Sequence, residues 1–398
     1  MQKSTVAIVK CESYDRKSVL DALQKGLDLL GGTVKFVKPG ERILLKPNIL
    51  WGTDPDKCVV THPSVFYAAA SIFCKAGAQV YYGDSPAIQS SAGGMKKSGH
   101  ADVASELCLK PAEFDHGRIV SYPKGVTSKA LYIADGVTAA EAVISLPKFK
   151  THGLTRFTGA IKNQFGCVPG MKKGQYHAQF PDIFEFSGLL ADITGFVNPR
   201  LYIMDAVYGM EGNGPQSGDP RKIGALILSS DPVALDTVCC RIINLDPSFV
   251  PTIQAGERTG LGTSDFSRID LKGDSIDNFM IPDFKVNRTA PVPLPKNRFL
   301  KELKSQFTQR PAIRRRLCTK CGRCTQICPT DPKSVFFRKS KTKPPVYDYR
   351  NCIRCFCSQE MCPSKAIEIH TPILNRLLPF VTYIGLLASR RNSHKGTN

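Results

Sequence analysis

No run of 18 or more apolar residues occurs in this 398-residue chain, so the sequence offers no candidate for a bilayer-spanning helix. The opening segment MQKSTVAIVKCESYD has no apolar stretch behind a basic end; it reads as a first β-strand and not as a secretory leader. No G-x-G-x-x-G follows a strand-like segment, so nothing marks a nucleotide or flavin site. Acidic residues are scarce, 34 Asp and Glu against 54 Lys and Arg, for a net charge of +20. No aromatic-interleaved basic motif and no helix-turn-helix pattern accompany that charge, and nucleic acid is not the expected partner. Hydrophobic residues make up 42%, enough for a large core.

Cysteine is abundant and unevenly placed. Eight of the 15 cysteines fall in two runs, each ending in Cys-Pro. The first is Cys318-x2-Cys321-x2-Cys324-x3-Cys328-Pro329, and the second is Cys352-x2-Cys355-x-Cys357-x4-Cys362-Pro363. The first run has the spacing of bacterial two-cluster ferredoxins, and soft thiolates suit iron–sulfur clusters. The expectation is two [4Fe–4S] clusters. Because the fourth cysteine of each run serves the other cluster in such proteins, Cys318, Cys321, Cys324 and Cys362 would hold one. Cys328, Cys352, Cys355 and Cys357 would hold the other. The second run departs from the rule. Regular spacing puts its third ligand at 358, where Ser358 stands, and Cys357 comes one residue early. Either the loop is rearranged so that Cys357 ligates, which is expected because thiolate is the better ligand, or this cluster is labile or lacks an iron. Paired CxxC motifs also bind zinc, but two runs that both end in Cys-Pro argue against zinc.

Thiolate ligands and free cysteines both need a reducing compartment, which points to the cytoplasm. Of the other seven cysteines, Cys167 stands near a polar segment, although a small buried role fits it best. The basic excess concentrates in residues 296–350, with 16 Lys and Arg against 3 acids. It would offset buried cluster charge and offer a docking face to an acidic redox partner protein.

Residues 1–275 alternate strand-like and helix-like segments. Thr5–Cys11, Arg42–Lys46, Val80–Gly83, Ala142–Leu146, Leu201–Asp205 and Ala225–Leu228 read as strands. Asp15–Leu30, His62–Ala76, Asp182–Val197 and Pro232–Ile243 read as helices, the first capped by Asp15 and the second by Thr61. The pattern predicts an α/β fold, a mainly parallel sheet with helices on both faces, followed by a small ferredoxin-type α+β domain. Residues 276–316 are basic and proline-rich and read as a linker with one short helix near Phe299–Phe307. Residues 317–371 form the cysteine domain, whose stability should depend on its clusters. The tail 372–398 is apolar, then basic. It would either pack on the main domain or make peripheral contact with a membrane.

Ligands of parallel sheets bind at the carboxyl ends of strands. Here those ends carry Lys46, Asp84, the segment Lys148-Phe149-Lys150-Thr151-His152, Asp205 and Glu211. Lys46, Lys148, Lys150 and Lys162 would converge on a small anionic substrate, helped by backbone N–H groups of a helix starting near Thr158. His152, Asp205 and Glu211 are the candidates to move protons.

The segments ERILLKPN, THPS, GDSPA, LPKFKTHGLTRFTGAIKNQFG, DAVYGMEGNGPQSGDPRKIG and SSDPVALD resemble the domain-of-unknown-function 362 family over about residues 1–275. The resemblance implies an α/β domain, often followed in that family by a two-cluster ferredoxin segment, and electron transfer. It implies no substrate. Many members carry CxCC where this chain has Cys355-Phe356-Cys357-Ser358. The expectation is therefore a ferredoxin-like protein that passes single electrons through two clusters to or from an anionic-substrate pocket. Two alternatives stand beside it: a binding or redox-sensing protein with structural clusters, and a non-redox enzyme acting on an anion.

Overall fold

Side chains of a strand alternate between the two faces of a sheet. In strand Ser4–Lys10, Val6 and Ile8 enter one apolar layer while Ala7 and Val9 enter the other. The computed structural model, which describes residues 3–291 and 309–370, shows what fills each layer. Helices Arg16–Leu29 and Pro63–Lys75 cover one face with Val19, Leu23, Phe66 and Phe73. Helices Ile183–Val197, Pro232–Ile242 and Pro251–Arg258 cover the other with Leu189, Ile193, Val238 and Ile253.

Ten strands form the sheet. Its main path runs Ile269–Gly273, Ser4–Lys10, Asp219–Ser229, Leu201–Glu211, Ala142–Leu146, Arg42–Pro47, Gln79–Tyr82, Lys110–Pro111. Pairing is parallel from Leu201–Glu211 out to Lys110–Pro111, and again between Ser4–Lys10 and Ile269–Gly273. Asp219–Ser229 runs antiparallel to both of its neighbours. Strand Lys148–His152 branches off the path, pairing with Leu201–Glu211 and with Arg156–Phe157.

Some local expectations change. Leu201–Glu211 and Asp219–Ser229 are each 11 residues long and form a hairpin. The glycine-containing segment Tyr208–Glu211 finds its backbone partners in residues 219–222, so tertiary pairing overrides its loop-like composition. The second helix is capped by His62, whose Nδ1 accepts from Ser64 N at 3.1 Å, and not by Thr61. Thr61 instead donates to Leu146 O at 2.6 Å, tying the loop to the neighbouring strand. Residues 276–291, read as linker, contribute Phe279 and Phe284 to the main core. The helix expected near Phe299–Phe307 and the tail from 372 lie outside the described residues.

The cysteine module closes on its own ends. Strand Arg310–Ile313, on the linker side of the expected boundary, pairs antiparallel with Ile367–His370. Val335–Phe336 pairs with Val346–Tyr347. Two short helices, Arg323–Ile327 and Cys357–Glu360, each follow a cysteine loop.

Candidate functional site

Three of the lysine and histidine candidates reach one cavity of ≈ 740 Å³, counted to its open mouth. Strand Lys148–His152 supplies Lys150 and His152, and helix Gly159–Asn163 supplies Lys162. Two residues not anticipated, Lys173 and His177, come from helix Lys172–Gln179. The opposite wall belongs to the cysteine module, through Ile327, Cys357, Glu360 and Met361. The cavity thus lies between the sheet and the cysteine module.

His152 Nε2 stands 3.0 Å from Glu360 Oε1, and both side chains are buried. The ring's Nδ1 accepts from the N–H groups of Leu154 and Thr155, at 3.0 and 3.3 Å. That fixes the tautomer, with the ring proton on Nε2, the nitrogen that faces the carboxylate. Burial pushes Glu360 up, but His152, Lys162 and His177 outweigh it and hold the carboxyl at about 2. Burial lowers Lys150 to about 7, with Glu360 opposing, and lowers Lys173 to about 7, with Asp84 opposing. It lowers Lys162 as well. Lys150 Nζ donates to Val59 O at 2.7 Å, and Lys162 Nζ sits 4.8 Å from the centre of the Phe165 ring. A buried amine whose charge is this weakly held regains it when an anion arrives.

The remaining candidates go elsewhere. Lys46 forms a buried ion pair with Asp84 at 2.7 Å. A Cβ at Gly166 would lie 1.9 Å from Asp84 Oδ1, so only glycine admits that approach. Lys148 Nζ bonds Asp205 at 2.8 Å and the Tyr14 hydroxyl at 2.6 Å. Tyr14 in turn stacks on His62 at 3.6 Å, forming a second buried polar knot apart from the cavity. Glu211 accepts from Lys285 N at 3.0 Å and holds the chain that follows the hairpin. The start of helix Gly159–Asn163 is also taken, because Asp236 accepts from Ala160 N at 2.6 Å and from Ile161 N at 3.3 Å. Its donors are therefore not free for a substrate. Cys167 is fully buried, and burial pushes its thiol to about 12.

Glu360, Lys173 and His177 could not be found from spacing. Each is brought in from a separate segment by tertiary packing, and Glu360 lies within a cysteine run where it looks like a spacer.

In the cysteine module, Cys318, Cys321, Cys324 and Cys362 line one narrow space. Burial pushes the Cys324 thiol up to about 12, reinforced by Cys362, Cys321 and Cys318. Cys352 is likewise raised to about 11 by burial, with Cys355 adding and Cys328 also within electrostatic reach. Among the described residues, no group of three His, Cys, Asp or Glu side chains is arranged to hold a single metal ion. The first four thiols share one space, Cys352 lies within electrostatic reach of Cys355 and Cys328, and Cys357 lines the cavity instead.

The module is clamped to the sheet. Gln359 Nε2 donates to Asn213 O and Gly214 O, Asn213 Nδ2 to Ile367 O, and Lys365 Nζ to Gly218 O. Among the described residues no helix is long and apolar enough to cross a membrane.

A family described as "Domain of unknown function (DUF362)" matches residues 43–241, half of the chain. A thylakoid-associated protein of Synechocystis sp. is 38% identical over 258 residues, covering 65% of this chain and 80% of that protein. The solved lactate racemase apoprotein of Thermoanaerobacterium thermosaccharolyticum shares 10% identity at a TM-score of 0.40, covering 61% of this chain and 57% of that one. A likeness that slight carries no argument.

Proposed function

The chain belongs to the DUF362 family, and on that premise we propose that it is a ferredoxin-type iron–sulfur protein that reduces or oxidises a small anionic substrate in the cavity between sheet and cysteine module. The observation that carries this reading is the shared wall, with Lys150, Lys162 and His152 on one side and Glu360 and Cys357 on the other. Cys318, Cys321, Cys324 and Cys362 would hold one [4Fe–4S] cluster, and Cys328, Cys352 and Cys355 three corners of the second. Such clusters supply single electrons.

The chain's own residues do the rest. Lys150, Lys162 and Lys173 bind the anion, in a site where low water content strengthens each charge. His152, held in one tautomer, and Glu360 move the proton that accompanies electron transfer to or from the substrate. Cys321 is exposed and has basic neighbours: Lys320, whose Nζ reaches Thr342 O, and Lys341 beside Gly322. An acidic redox partner docking there would meet the first cluster, and the second cluster's segment adjoins the cavity. The protein would work in a reducing compartment, the cytoplasm. The Synechocystis relative's thylakoid association makes peripheral membrane contact part of the same proposal.

The test is anaerobic reconstitution followed by dithionite reduction and EPR. Reduced-cluster signals in the wild type, with substrate-dependent reoxidation lost in Lys150→Met, are the expected result. Colourless protein that binds zinc and gives no signal would overturn the reading. A structural role for the clusters is favoured by one observation, the module's thin core. The cluster built around Val335, Ala366 and Ile367 owes its other three buried members to cysteine. Midpoint potentials far below any cellular donor would select that role.

A further inference from the structure

The two cysteine loops share a backbone. Lys320 and Gly322 flank Cys321 with φ of 58° and 81°, and Arg354 and Phe356 flank Cys355 with φ of 57° and 62°. In each loop the second left-handed residue is the N-cap of a short helix, Gly322 before Arg323–Ile327 and Phe356 before Cys357–Glu360. Superposing the two by backbone role aligns Cys324 with Ser358, Arg323 with Cys357, Ile327 with Met361 and Cys328 with Cys362.

One residue along a helix turns a side chain by about 100°. The first helical residue of each loop faces the sheet domain. Arg323 lies over Trp51 at 4.8 Å, and Cys357 lines the cavity and packs with Ile327, Met361 and its neighbour Cys355, which unlike Cys357 does not line the cavity. The second helical residue faces the module's interior. Cys324 lies in its apolar cluster, and Ser358 Oγ is 2.7 Å from the hydroxyl of Tyr347, a ring that packs against that same cluster. Ile327 and Met361 match as well, since both line the cavity.

We infer that Cys357 is a thiol of the substrate cavity and not a cluster ligand, and that the second cluster is held by Cys328, Cys352 and Cys355 with Ser358 at its fourth corner. This rests on the proposed function and narrows it, because it makes Cys357 a buried thiol of the cavity wall, beside Cys355 and within reach of Glu360 and Lys162.

Iron and sulfide are counted on anaerobically reconstituted full-length protein. Cys357→Ala should keep the wild-type iron count and reduced EPR spectrum, while Cys352→Ala loses about half of the iron. Ser358→Cys should slow the loss of iron in air several-fold by completing the regular run. A second measurement uses no variant. Methyl methanethiosulfonate is added to anaerobic wild-type holoprotein and the labelled peptides are identified by mass. Cys357 should be modified with iron retained. Loss of half of the iron in Cys357→Ala, or protection of Cys357 equal to that of Cys352, overturns the inference. If the wild type itself binds no iron, the proposed function fails instead, so the two failures are distinguishable.

Discussion

The sheet and the cysteine module reach order by different means. The sheet buries apolar side chains on both faces, from Val6 and Ile8 on one side to Leu23 and Phe73 on the other. Such layers exclude water by themselves and fix register through alternation. The cysteine module has short two-stranded sheets and a core half made of cysteine. A segment that size cannot bury enough apolar surface to offset its chain entropy. The lesson is that the sheet is specified by its hydrophobic pattern, whereas the module has too little such pattern to be specified in the same way, which is what the proposed clusters would supply.

The largest expected effect breaks the two apart. Removing the metal with an iron chelator, or replacing Cys362 by Ser, should unfold most of residues 309–370 and leave the sheet intact. Limited proteolysis is the check. Cleavage should concentrate within 309–370 while the fragment ending near residue 291 persists with its own cooperative melting transition. Equal protection of both regions after chelation would sink the contrast.

A smaller effect concerns the contact between them. Glu360→Gln removes the charge that His152 meets at 3.0 Å. Disrupting a buried polar contact of this kind costs about 1–3 kcal/mol, so docking of the module should weaken and the two melting transitions should separate. The sign with pH follows from Glu360 itself. Its folded value of about 2 lies below the ordinary carboxyl value of 4.5, so its contribution is fully present above about 4.5 and is lost as pH falls through 2. The variant should lack that part of the acid transition.

How much of this was legible in the sequence depends on whether the information is local. Asp15 as a helix cap could be read directly, since a short acid before an amphipathic stretch accepts from the backbone three residues on. The strand-end rule pointed to Lys150, His152 and Lys162, and the structure brings them together. It also grouped Lys46, Lys148 and Asp205 with them, because a strand end gives a location but not a partner. Lys46 is taken up by Asp84, and Lys148 by Asp205 and Tyr14. Glu360 and His177 depend on segments far apart in sequence that meet only after folding. The irregular second cysteine run was visible at once. What it meant was not, because helix phase needs the left-handed residues at 354 and 356 to be seen.

The smallest effect sharpens the comparison at the cavity, where both regions contribute charge. Lys150 and Lys173 are lowered to about 7 chiefly by burial, and the groups facing them are Lys162, His152, His177, Asp84 and Glu360. A lysine with a folded value near 7 and an unfolded value of 10.5 is deprotonated first in the folded state. Between those values the unfolded chain binds more protons, so stability without ligand rises with pH across that window. Anion binding runs the other way, because the ammonium form receives the anion. Affinity for an inorganic anion such as phosphate, measured by calorimetry, should be near its limit below pH 6 and fall by up to about tenfold per pH unit above 7 for each lysine engaged. Lys150→Met should flatten the profile and keep the cluster signals. A wild-type profile flat from pH 6 to 9 would mean that these amines hold their charge without a ligand, and the cavity would then owe its selectivity to Lys162 and shape alone.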